Sequence, residues 1–96
     1  METAQLTKIS ELLSIPADKL LVLSMQSYLR EQKRVLMIER LEYLRRYGVS
    51  QREDIKRKIE NGDIPDHPAW EDFIEVSNVE EEIRRIEDAL NNLSSP

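Results

Sequence analysis

Cysteine is absent from this 96-residue chain, which excludes disulfides and thiolate-based metal or redox chemistry and suits a reducing cytoplasm. Glycine occurs only twice, and no long Ser/Pro tract is present, so there is little room for a disordered linker. Aromatic residues are scarce: one Trp, one Phe and three Tyr, beside a single His. The longest apolar runs, "LLVL" and "VLMI", fall far short of the roughly 20 residues that span a bilayer. The opening "METAQLTKIS" lacks the basic start and apolar stretch of a signal peptide. These absences lead us to expect a soluble, cytoplasmic protein.

What is present is hydrophobic content of 40% and charged content of 34%, a balance that suits long helices with solvated faces. The length fits one domain, residues 1–96, and so short a chain buries a limited core unless a partner adds to it. A homodimer is therefore expected. The net charge of −5 is unevenly spread. Residues 1–48 hold eight Lys/Arg against six Asp/Glu, or +2, whereas residues 49–96 hold six against thirteen, or −7. An acidic half disfavours nucleic acid and favours a basic partner.

The periodicity predicts an all-α fold. Leu6, Ile9, Leu12 and Leu13 mark a short helix within residues 1–15, which Pro16 ends because it disfavours helix at the residue before it. Good helix formers then run to Tyr47, with Pro16 suited to the first turn and Gly48 to the stop, giving a long helix over 16–48. In it Val35, Leu36, Met37 and Ile38 are consecutive and point around most of the circumference, as in a helix covered on several sides. Short helices and a loop fill residues 49–78. "SQRE" at 50–53 reads as a capping box, and Asn61-Gly62 as a helix stop. The short helix between them carries only Ile55 and Ile59 inward, so its hold on the body is expected to be weak. A second box, "SNVE" at 77–80, opens a last helix over 79–93.

In that last helix Val79, Ile83, Ile86, Leu90 and Leu93 step by 4, 3, 4 and 3, a coiled-coil-type seam. The apolar stripe of matching length is Met37, Ile38, Leu41 and Leu44. The two should form an antiparallel helical hairpin, within one chain or swapped between two, leaving Leu20 to Leu29 for the first helix or a second chain.

The segment "HPAWEDFIEV" at 67–76 gathers the sole His, Trp and Phe. Trp70, Phe73 and Ile74 share one helical face, either as core or as an anchor for a partner. No serine stands near His67 before Ser77, and no nucleophile–base pair, HExxH or EF-hand pattern is present, so neither an enzyme nor a metal or cofactor site is expected. A basic stretch at Arg30, Lys33 and Arg34 is the minimum footprint for nucleic acid. "ISELLSIPADKLLVLSMQSYLRE" resembles the helical part of ribbon-helix-helix repressors, but no alternating strand pattern precedes it.

From Arg40 onward the chain resembles a group of small archaeal and bacterial antitoxin-like proteins of toxin–antitoxin pairs. The resemblance rests on Tyr47, Gly48, Val49 and Ser50, then Gly62, then His67, Pro68, Trp70, Glu71 and Asp72, followed by an acidic last helix. It implies a protein that neutralises a small basic, often ribonuclease-like toxin, with Trp70, Glu71, Asp72, Phe73 and Glu75 as the contact. Residues 49–78, acidic and expected to be loosely held, suit ordering on a partner. A structural or adaptor homodimer is the alternative, and a DNA-binding regulator acting through the first half is the next.

Overall fold

The computed structural model describes residues 3–94. The outermost positions of the sequence-based bounds, 1–2 and 95–96, lie outside the described residues. Four helices follow in order, α1 (Thr3–Leu13), α2 (Ala17–Arg46), α3 (Arg52–Glu60) and α4 (Asp66–Ser94), and there is no strand among the described residues. The fold is all-α, and the long helix packs against the C-terminal one within a single chain. Lys33 meets Glu87 at 3.1 Å and Arg40 meets Glu80 at 2.7 Å, so position rises along α2 as it falls along α4. The hairpin is antiparallel.

Three helices end on one hydrogen-bond pattern. After α1, Ile15 N–H donates to Ser10 C=O and Ser14 N–H to Glu11 C=O; after α2, Val49 to Leu44 and Gly48 to Arg45; after α3, Asp63 to Lys58 and Gly62 to Ile59. This is the Schellman arrangement, which turns one residue left-handed to satisfy the last carbonyls. Gly48 and Gly62 take that place at φ 64° and 76°, but at the first end it is Ser14, at φ 57°.

The helix starts differ from the sequence reading. Neither capping box forms. Gln51, extended at φ −141° and ψ 151°, precedes α3 with no side-chain cap, because Glu53 is held instead by Arg52 at 2.9 Å. At Ser77 the helix does not begin but runs through: Ser77 Oγ donates back to the Phe73 carbonyl at 3.0 Å and accepts from Arg52 Nη1 at 3.1 Å. With no Gly or Pro between Pro68 and Pro96, nothing stops propagation, and a serine that bonds one turn back is tolerated inside a helix. The last helix therefore starts ahead of the tryptophan rather than at Val79. Extended geometry at His67 (φ −116°, ψ 132°) sets Asp66 apart from the regular helix, which leaves Pro68 at its first position, where a missing N–H costs nothing.

The core sits at one end of the molecule, where α2, α3 and α4 meet. Leu44, Ile55, Ala69 and Val76 are fully enclosed, with Tyr43, Tyr47, Val49, Ile59, Ile64 and Phe73 packed around them. Ile55 is 0% exposed, so the weak hold expected of α3 is overturned. One isoleucine suffices because it is inserted between two long helices, and Arg52 adds its bonds to Ser77 and Glu80 and lies 5.9 Å from the Phe73 ring centre.

Along the hairpin, Val79 and Ile83 are buried and Ile86 and Leu90 half-buried. Opposite them only Leu44 of the expected stripe is buried, while Met37, Ile38 and Leu41 remain 40–49% exposed. α4 lies instead along the line Lys33, Arg40, Leu44, where Leu44 is buried and the two cations reach across to Glu87 and Glu80. α1 lies against the first half of α2 and contains no buried residue. The result is a rod of 61 × 23 × 21 Å with a radius of gyration of 19.5 Å, against about 12 to 13 Å for a compact chain of this length.

Candidate interaction site

The segment that carries Trp70 is fixed to the core end from inside. Asp72, 8% exposed, accepts a hydrogen bond from the Tyr47 hydroxyl at 2.5 Å and faces Arg46 Nη1 at 3.4 Å. Tyr47 is the residue that caps α2, so this clasp ties the start of α4 to the end of α2. Burial, the bond to Asp72 and that carboxylate's charge push the Tyr47 phenol up to about 12. Arg46 also lies 4.8 Å from the centre of the Tyr43 ring.

One residue further round, Phe73 packs into the core margin, and Trp70 stacks on it with ring centres 5.3 Å apart and planes 15° from parallel. Trp70 is 41% exposed. Its indole thus has a rigid backing on one side and solvent on the other. Beside it His67 Nδ1 and Glu71 Oε1 share a 2.6 Å hydrogen bond one helical turn apart. A groove of about 230 Å³ runs between Ile59, Asp66, His67 and Trp70. Asp66, which lines this groove, and Glu71, bonded to His67, are both exposed at its edge.

Of the five residues expected to meet a partner, Trp70, Glu71 and Glu75 face outward. Asp72 and Phe73 do not; they are turned into the clasp and the core margin, because a helix cannot present five nearly consecutive side chains to one side. Residues missed by the sequence reading are Tyr47, Arg46 and Arg52, which hold the segment from other helices. No local spacing signals such contacts, since they join positions 21 or more residues apart.

The basic stretch on α2 is mostly neutralised by its own chain. Lys33 pairs with Glu87, and Arg34 is held by both oxygens of Glu31 at 2.6 and 2.9 Å. That pair lowers the Glu31 carboxyl and raises the Arg34 guanidinium from their ordinary values, chiefly through the hydrogen bonds themselves. Arg30 makes no ion pair among the described residues. With Met37, Ile38, Leu41 and Leu90 these cations border an open groove of about 510 Å³. Among the described residues no group of three or more metal-ligating side chains stands together, and no helix is long and apolar enough to cross a membrane.

Residues 1–95 match the model of the family described as uncharacterized protein MJ0235. The chain belongs to that family. A relative from Methanocaldococcus jannaschii, the uncharacterized protein MJ0235, is 27% identical over 77 residues, covering 80% of this chain and 94% of the relative. The MJ0235 family match thus takes in the acidic head and the long arm together. No solved structure matches.

Proposed function

We propose that this member of the MJ0235 family is a non-enzymatic, cytoplasmic interaction module that offers Trp70 on an acidic helical head to a small basic protein, as an antitoxin does to its toxin. The observation that carries the reading is the half-exposed indole backed by Phe73 and bordered by exposed carboxylates. Aromatic side chains with one face rigidly supported and a charged margin are the usual energetic centre of an interface. The carboxylates steer a cationic surface toward it. Because the head is built around a fully buried Ile55, binding uses a preformed surface rather than a segment that orders on its partner, which lowers the entropic cost of association.

The test is to measure affinity for the products of the neighbouring genes with wild-type protein and with Trp70→Ala, following helix content in both. Trp70→Ala should weaken binding by roughly 30-fold or more, corresponding to about 2 kcal/mol or above. Its cost to folding should lie well below the roughly 3–5 kcal/mol of a fully buried aromatic. Absence of any micromolar complex with those products would defeat the proposal. So would a Trp70→Ala protein that unfolds, which would make the indole part of the core.

A further inference from the structure

A second surface lies far from the acidic head and is independent of the reading given to it. On the outer side of α2, Leu21, Met25, Tyr28, Gln32 and Val35 step by 4, 3, 4 and 3, the spacing of a coiled-coil seam. Among the described residues no helix covers it: Leu21, Met25 and Val35 are 39–47% exposed and Tyr28 is 64% exposed. α1, which contains no buried residue, adds Ile9, Leu12 and Leu13 to the same arm. We propose that a second copy of this chain occupies this seam, its α2 running antiparallel to the first with the two-fold axis near Tyr28.

Exposure, charge and shape argue for that occupant. The seam leaves Leu21, Met25, Tyr28 and Val35 uncovered along one side of α2, with Ile9, Leu12 and Leu13 exposed on α1, and an uncovered apolar stripe of this kind marks a protein–protein surface. Residues 3–35, which take in α1 and the whole seam, carry Lys8, Lys19, Arg30, Lys33 and Arg34 against Glu11, Asp18 and Glu31, a net charge of +2 in a chain of −5. Lys33 and Arg34 are already paired with Glu87 and Glu31, so the face is close to neutral and two copies of an acidic chain can meet there without the repulsion of their acidic halves. The direction follows from the same asymmetry. Parallel pairing would place two heads of −7 (residues 49–96) side by side, while antiparallel pairing sends them to opposite ends of the assembly. The two arms then overlap as paired helical hairpins, the four-helix arrangement that buries both faces of a long helix. Val35, Met37 and Ile38, exposed within four positions of one helix, suit a helix that has neighbours on more than one side.

Sedimentation equilibrium of the full chain at micromolar concentration should give the dimer mass, and Tyr28→Glu, which sets two carboxylates together near the axis, should weaken the dimer at least tenfold with helix content unchanged. Trp70→Ala should leave the dimer intact, which separates this surface from the head. The absence of native cysteine allows direction to be read with a short bis-maleimide. Leu21→Cys alone should not cross-link, because the two copies of position 21 would lie about 20 Å apart along the axis at 1.5 Å per residue. The double variant Leu21→Cys/Val35→Cys should cross-link. A wild-type monomer at 100-fold higher concentration, a dimer indifferent to Tyr28→Glu, or efficient cross-linking of Leu21→Cys alone would each overturn the proposal.

Discussion

Replacing Tyr47 by Phe removes one hydroxyl and tests whether the clasp between α2 and α4 stabilises the head. The carboxylate it serves is 11% exposed at the side chain, and Arg46 remains at 3.4 Å. Loss of a hydrogen bond to a charged, nearly buried group costs about 1.5 to 3 kcal/mol. For a chain of this size that lowers Tm by very roughly 10 °C, taking about 4 to 8 °C per kcal/mol. Asp72→Asn alone should cost less than losing both bonds, since an amide oxygen still accepts from Tyr47, and the double variant should be milder than the sum of the two singles. A pH signature accompanies this. With the folded phenol at about 12 and an unfolded tyrosine near about 10, the folded state keeps a proton that the unfolded state releases between those values. Stability from this source is complete below about pH 10 and falls as pH rises toward 12. Thermal melts of wild type and Tyr47→Phe at matched pH values should therefore converge in that window, and the latest step of the tyrosinate absorbance titration should vanish in the variant. A Tm change under about 2 °C, with an unaltered alkaline titration, would refute the clasp as a stabilising element.

Ile55→Ala should be the most damaging single truncation in α3, costing about 2 to 5 kcal/mol because the side chain is wholly enclosed; urea unfolding would show it, and a loss below about 1 kcal/mol would return α3 to the periphery. The helix ends provide an opposed pair. Ser14→Gly relieves a left-handed serine and should be neutral or raise Tm slightly, the gain of up to about 1 kcal/mol being offset by unfolded-state entropy. Gly48→Ala meets no atom within 4 Å of the new Cβ yet should cost about 1 to 2 kcal/mol from backbone strain alone; equal effects of the two substitutions would contradict the shared geometry.

The features legible in the sequence were those written in local spacing. Gly48 and Gly62 mark true helix ends, and the run from Val79 to Ile83 and Leu90 declares the inner face of a helix that does pack on α2. The capping boxes misled because a Ser-x-x-Glu spacing says nothing of an arginine that competes for either end, and Arg52 takes both Glu53 and Ser77. Apolar periodicity alone misplaces the partner stripe on α2, because the positions that face α4 include the charged Lys33 and Arg40, which pair with Glu87 and Glu80. At the candidate site, Trp70 and its acidic neighbours were readable as a cluster. The inward turn of Asp72 was not, since it depends on Tyr47 and Arg46 arriving from another helix.

The rod shape affects how the mass of this protein can be measured. A radius of gyration of 19.5 Å is that of a compact chain of roughly 300 residues, about three times the length of this one. A lone molecule thus scatters with the dimensions of a compact trimer, and any size-based calibration against globular standards assigns it partners it does not have. Forward scattering intensity or sedimentation equilibrium, which report mass without shape, are the observables that count copies correctly.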